Sequence, residues 1–247
     1  MTERRFSGVE RLWGKEGADR LRDASVTVVG VGGVGSWVVE ALARTGISRL
    51  RLIDADHVAE SNINRQLPAL ENTFGRLKAD VLAERVQLIN PQAYVDVVDD
   101  FVTLENIESL FSDQSWVIDA IDNYRVKAAM IAHCSRRKQP IITIGAAGGQ
   151  VDCTRVRVSD LYRTEQDALL AKTRKLLRQD YGFSSNLKRR FGVHAVWSDE
   201  PVRQSQACES QQDSSLNCAG FGAAMTVTAS FGLAAADYVI RQIATKT

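Results

Sequence analysis

Gly30-Val31-Gly32-Gly33-Val34-Gly35 has the spacing of a phosphate-binding turn. Glycines there permit a tight turn and close backbone approach to a phosphate, and the helix that follows aims its N-terminal N–H groups at the negative charge. Asp54 ends the next apolar run, where a carboxylate accepts hydrogen bonds from ribose hydroxyls. Asp56, the stretch Ser61-Asn62-Ile63-Asn64-Arg65-Gln66, Lys78 and Asp122-Asn123 follow in order. A dinucleotide such as NAD uses the glycines and Asp54 but has no need of Arg65, Lys78 and Asp122. ATP uses them all, because two cations neutralise a triphosphate and a carboxylate holds Mg²⁺ against its oxygens. Singly, Arg65 and Lys78 also read as solvated helix charges and Asp122 as a helix cap. Their order along one chain favours the nucleotide. Gly30, Gly32, Gly33, Gly35, Asp54, Asp56, Asn62, Arg65, Gln66, Lys78 and Asp122 are the candidate site, with Arg65, Lys78 and Asp122 its candidate catalytic groups.

These residues need strands alternating with helices to carry them. Residues 26–29, 50–53, 94–98, 116–119 and 140–144 read as short buried strands. Between them, 36–44, 75–89, 104–111 and 124–138 read as helices, the second stopped by Asn90-Pro91. This alternation predicts an α/β fold, a Rossmann-like, doubly wound, mainly parallel sheet covered on both faces. The pattern changes after Gly145-Ala146-Ala147-Gly148-Gly149. Residues 151–158 alternate like an antiparallel strand, 167–179 read as a helix, 192–197 as a strand and 221–243 as a helix. The expectation is one domain over 1–247, with a nucleotide-binding part at 1–150 and an antiparallel and helical extension at 151–247. Residues 203–215, rich in Gln and Ser and poor in apolar side chains, are expected to form a mobile loop.

Hydrophobic residues make up 45% and charged residues 25%, which excludes a disordered chain. With 31 Lys+Arg against 30 Asp+Glu the net charge is +1, which excludes a globally basic nucleic-acid binder but not a local patch. The four cysteines, Cys134, Cys153, Cys208 and Cys218, form no C-x-x-C pair, so no zinc site is expected. The chain is polar up to Ala24, and a cytoplasmic protein with reduced thiols is expected. Residues 214–236 carry no charge but are mostly small. They suit a buried or interfacial helix better than membrane association, which is the alternative.

The glycine turn, Asp54-Ala55-Asp56, Ser61 to Gln66, Lys78 and Asp119-Ala120-Ile121-Asp122-Asn123 resemble the ubiquitin-activating-enzyme-like (ThiF/MoeB/HesA) adenylating family. The resemblance implies attack of a carboxylate on the α-phosphate of ATP, giving an acyl-adenylate and pyrophosphate. It places ribose at Asp54, phosphates at Asn62, Arg65 and Lys78, and Mg²⁺ at Asp122. Two features depart from the sulfur-carrier activators of that family. Their paired C-x-x-C zinc ligands are missing. Their opening R-Y-x-R-Q, whose second Arg reaches the partner subunit's ATP, is here Arg5-Phe6-Ser7-Gly8-Val9, and Arg11 is the substitute candidate.

Arg5 to Gly14, Gly35-Ser36-Trp37, Val98-Asp99-Asp100-Phe101-Val102, Gly148-Gly149-Gln150-Val151-Asp152 and Cys218 to Ala224 are similar to a narrower family, the tRNA threonylcarbamoyladenosine dehydratases. That resemblance implies adenylation of the threonyl carboxylate on a modified adenosine beside the anticodon. Internal attack then closes a ring with release of AMP. It implies a homodimer without zinc, linked to a cysteine-desulfurase sulfur-acceptor partner, and it is compatible with a structural monovalent cation. The extension at 151–247 then serves substrate binding and dimerisation. A tRNA substrate calls for a cationic surface, and Lys172, Arg174, Lys175, Arg178, Lys188, Arg189 and Arg190 are opposed by Asp180 alone, with Arg136-Arg137-Lys138 nearby. Such runs are generally solvated faces; with an RNA substrate they become candidate tRNA contacts. Cys218 reads as a structural or interface residue, against a persulfide or thioester carrier. The alternatives are an adenylyltransferase acting on the C-terminus of a ubiquitin-like sulfur carrier, and a non-catalytic nucleotide sensor.

Overall fold

The computed structural model describes residues 4–111, 116–203 and 221–245. Runs of Val, Ile and Leu supply strands β1 (Ser25–Val29), β2 (Arg49–Ile53), β3 (Tyr94–Val98), β4 (Trp116–Asp119) and β5 (Ile141–Ile144), followed by β6 (Val156–Asp160) and β7 (His194–Ser198). They form one seven-stranded sheet in the order β3-β2-β1-β4-β5-β7-β6. Every neighbouring pair is parallel except β6 with β7. The expected doubly wound α/β sheet with an antiparallel addition is therefore the observed fold. After β3 the chain crosses to the other side of β1, so the strand order reverses between β1 and β4. The carboxyl ends of strands flanking such a reversal leave an open crevice.

The helices are α1 (Ser7–Asp23), α2 (Gly35–Arg44), α3 (Lys78–Ile89), α4 (Ile107–Leu110), α5 (Tyr124–Arg137), α6 (Ala168–Asp180) and α7 (Met225–Ala244). One face of the sheet packs on α2, α3 and α7, with Leu21 of α1 joining that core. The other face packs on α4, α5 and α6. Several boundaries differ from those expected. The helix expected from residue 75 begins at Lys78, because Gly75 takes a left-handed φ of 78° in the preceding turn. The helix expected over 104–111 shrinks to α4. The strand expected over 151–158 starts only at Val156, after a short 3-10 turn at Cys153–Arg155 whose amide Asp152 accepts. The helix expected from residue 221 begins at Met225. Helix α1 has no counterpart in the sequence reading. Of the uncharged segment, the described part enters α7 and buries Val227, Phe231, Ala235 and Ala236. No helix among the described residues is long and apolar enough to cross a membrane. The expected loop at 203–215 lies, beyond Arg203, outside the described residues.

Beneath the crevice lies a fully buried ion pair. Lys127 Nζ stands 2.8 Å from Asp119 Oδ2, both side chains 0% exposed. Thr143 Oγ1 accepts from Lys127 (3.2 Å) and donates to Asp119 (2.6 Å). Lys127 also donates to Ile144 O at 3.0 Å, while Asp119 Oδ1 accepts from Ile121 N at 3.3 Å. The pair thus ties the chain leaving β4 to the chain leaving β5. Buried charges hold together only when their remaining lone pairs and protons are satisfied. Thr143→Val removes one partner from each, and a loss of about 1–3 kcal/mol is expected in urea unfolding.

Candidate functional site

A cleft of about 830 Å³ opens over the carboxyl ends of the parallel strands. Its wall at β1 is the glycine turn. Gly30 takes φ 81°, and a Cβ on Gly35 would stand 1.8 Å from Gly30 O, so the tight entry into α2 requires glycine at both positions. Gly30, Gly32 and Gly33 line the cleft, whereas Gly35 is buried in the first turn of α2. Gly35 therefore shapes the turn without facing the ligand space.

Asp54, 8% exposed at the end of β2, accepts Val31 N at 2.7 Å on Oδ2 and Asp56 N at 2.8 Å on Oδ1. Burial pushes its carboxyl up, opposed by these two amides and then by Lys78. The residue assigned to ribose thus also fastens the glycine turn to β2, and each oxygen keeps a second lone pair for a ligand hydroxyl. Lys78 is the first residue of α3, and its Nζ pairs with Asp56 Oδ2 at 2.8 Å. The ammonium and the positive end of the helix act at the same place.

Asn62 is buried and accepts Ala59 N at 3.1 Å, leaving its amide nitrogen to donate. Arg65 donates to Ser61 O and Asn64 Oδ1, both at 2.8 Å, with its stem along Gly33. Gln66 is buried beside Gly32, and its Oε1 has no partner among the described residues. Asp122 is exposed on the turn after β4. The cleft brings together Asp54, Asp56, Asn62, Arg65, Gln66, Lys78 and Asp122. It does not include Arg11, an exposed residue of α1 that donates to Ser7 Oγ at 3.4 Å.

Other lining residues were absent from the sequence-derived site: Asp100 and Phe101 after β3, Asn123 after β4, Gly145 to Gly148 after β5, and Leu169 of α6. Their shared signal is position at the carboxyl end of a strand, with Leu169 the exception. No group of three or more His, Cys, Asp or Glu suited to a metal occurs among the described residues. Mg²⁺ is commonly held by one or two carboxylates together with substrate phosphates, and exposed Asp122 fits that mode. The thiol of Cys134 is pushed up to about 12 by burial and then by Asp119, so it stays protonated and a poor nucleophile. Cys208 and Cys218 lie outside the described residues.

The basic run divides. Lys172, Lys175, Lys188, Arg189 and Arg190 are exposed. Arg174 is half-buried and donates to Thr164 Oγ1, and Arg178 donates to Ser184 O and lies over the Phe191 ring. Lys172 Nζ stands 5.7 Å from the centre of the Tyr124 ring, next to Asn123 of the cleft. Lys172 therefore stands at the cleft mouth, whereas Lys188, Arg189 and Arg190 precede β7 at the opposite, amino end of the sheet.

A doubly wound sheet with a glycine turn, an acid after β2 and a charged cleft at the strand reversal defines a nucleotide-binding α/β protein. More narrowly, the chain belongs to the ThiF family, whose model matches residues 7–247. A tRNA threonylcarbamoyladenosine dehydratase of Haemophilus influenzae is 51% identical over 247 residues, covering 99% of this chain and 95% of its own length. The crystal structure of E. coli tRNA N6-threonylcarbamoyladenosine dehydratase, TcdA, in complex with AMP matches with TM-score 0.90 and 46% identity, over 98% of this chain and 95% of that one. Its complex with ATP matches at 0.89, over 98% and 94%. The molybdopterin-synthase adenylyltransferase of Salmonella typhimurium is 36% identical over 132 residues, 53% of either chain.

Proposed function

We propose that this chain catalyses the ATP-dependent cyclising dehydration of threonylcarbamoyladenosine next to the tRNA anticodon. The observation that carries this reading is the cleft, which joins a glycine cradle, Arg65, Lys78 and Asp122 in a chain that resembles such dehydratases almost end to end. A carboxylate is a poor electrophile because it lacks a good leaving group, and adenylation supplies one. The threonyl carboxylate attacks the α-phosphorus of ATP and pyrophosphate leaves. The substrate's own carbamoyl group then attacks the acyl carbon and AMP leaves, so water is lost overall.

The protein contributes charge neutralisation and positioning. Arg65 and Lys78 face the phosphates, Asn62 and Gln66 support them, and Asp54 receives the ribose. Asp122 would hold Mg²⁺, which supplies further positive charge at the departing pyrophosphate. No protein nucleophile takes part. Residues 1–150 hold ATP, and 151–247 serve the substrate side and the homodimer. A cytoplasmic setting and a cysteine-desulfurase sulfur-acceptor partner complete the reading.

The test is incubation with ATP, Mg²⁺ and threonylcarbamoyl-modified tRNA, followed by mass spectrometry of the nucleoside. Loss of one water is expected. An unchanged nucleoside, with adenylate formed instead on a ubiquitin-like carrier, would establish the alternative.

The exposed basic residues are assigned to the tRNA backbone. Reversing Lys188, Arg189 and Arg190 to Glu is expected to weaken tRNA binding by about tenfold to 10³-fold and to flatten its salt dependence. ATP affinity should stay as it is. Unchanged tRNA affinity in a filter-binding titration removes the assignment.

A further inference from the structure

Asp167 immediately precedes α6 and looks like a helix cap, since Oδ1 accepts Leu170 N at 2.8 Å. Capping needs one oxygen, and Ser, Thr or Asn does it as well. Asp167 does more. It is 6% exposed, and its second oxygen, Oδ2, accepts Ala146 N at 2.9 Å from a loop that lines the cleft. A Cβ on Gly145 would stand 1.9 Å from that oxygen, so glycine is what lets the carboxylate reach the loop.

The neighbouring backbone groups are fastened too. Lys127 donates to Ile144 O at 3.0 Å, and Gly145 N donates to Val196 O at 2.8 Å. Three consecutive residues leaving β5 are therefore gripped, by a buried cation, a strand and a buried carboxylate. Leu169, in the first turn of α6, lines the same end of the cleft. The glycine turn and Asp54 occupy the β1–β2 end, so an acyl group reacting with the nucleotide approaches from the β4–β5 end.

We propose that Asp167 is a positioning residue for the acyl side of the cleft, locking residues 145–148 to α6. This rests on the dehydratase reading for which group lies there. Since α6 also carries Lys172 and Lys175, the same carboxylate couples the RNA-facing helix to the loop beside the reacting carboxyl.

Two variants separate the grip from the cap. Asp167→Ser keeps a capping oxygen but does not span to Ala146. Asp167→Asn keeps the cap and turns an amide N–H₂ toward the Ala146 N–H. For each, hydrogen exchange, ATP affinity and turnover are measured on the full chain. Exchange at the Ala146 amide should rise by about tenfold or more with the α6 amides unchanged. Turnover should fall by about tenfold or more, with the KM for ATP within about twofold of the parent.

Unchanged exchange at 145–148 with turnover within about twofold reduces Asp167 to a cap and overturns the proposal. Faster exchange throughout α6 overturns it as well, because the effect is then on helix stability. Where the Asp167 variants fail to fold, Gly145→Ala strikes the same contact from the loop side and should give the same split. If the parent chain leaves modified tRNA unchanged yet Asp167→Ser still frees the loop, the dehydratase reading fails and the grip on the loop stands.

Discussion

Replacing Lys78 with Met is expected to lower the rate of adenylation by about 10²–10³-fold, with no loss of folding stability. Its side chain is 7% exposed, whereas that of its partner Asp56 is 56% exposed. The desolvation cost of this pair therefore falls on the ammonium, while the carboxylate is already largely in water. Removing the lysine leaves Asp56 solvated and relieves a buried charge, which offsets the lost attraction for buried Asp54, so stability is kept. Function is different. In the proposed reaction, an ammonium fixed at the first residue of α3 would meet the negative charge that builds on the phosphates as pyrophosphate leaves, with no reorganisation needed. Met has a similar length and no charge. The check pairs turnover of modified tRNA with a urea melt: lost turnover with an unchanged midpoint is the expected result. A parallel fall in midpoint would make Lys78 structural.

Much of the nucleotide end was legible in the sequence because its glycine turn, Asp54 and Lys78 sit at strand or helix boundaries with local signatures. The glycine turn follows a β-branched run, Asp54 ends the next one, and Lys78 opens a helix. These signals depend on neighbours in sequence. The acyl end depends on neighbours in space. That Ala146 would meet Asp167 follows from β5 pairing with β7 and from α6 packing against α5. Neither pairing has a mark in residues 145–167.

Helix α1 was illegible for another reason. It is broken at Gly14, where φ is 71° and ψ 169°, and it buries only Gly17, Ala18 and Leu21. Its apolar stripe is too thin to show a period, and its place is set by α7, whose Ala244 O accepts from Arg20. The basic run misled in the opposite sense. Seven cations in a nearly uninterrupted stretch look uniformly solvated, yet Arg174 and Arg178 turn into the packing of α6, and burial lowers the pKa of Arg174. Helical periodicity separates 174 and 178 from 172 and 175, a distinction that a count of charges conceals.

Mixing two inactive variants should restore activity if Arg11 serves the opposite subunit of the proposed homodimer. Arg11 lies outside its own chain's cleft, on the exposed side of α1. An arginine brought to a transferring phosphate from outside is worth about 10³–10⁵ in rate where it has been measured. Arg11→Ala alone and Lys78→Met alone are therefore both expected to be nearly silent in turnover. In a mixed dimer the two sites differ. The subunit with Arg11→Ala keeps its own Lys78 and receives the intact Arg11 of the other, so its site is whole. The other site lacks both. With random pairing at equal amounts, half the dimers are mixed and each has one working site, so about a quarter of the parent activity returns. An arginine acting within its own chain gives no recovery at any mixing ratio, because every site then carries a lesion. The readout is turnover after co-refolding or co-expression of the two variants. Recovery that rises and falls with the mixed-dimer fraction assigns Arg11 across the interface, and a flat response returns it to the surface of α1.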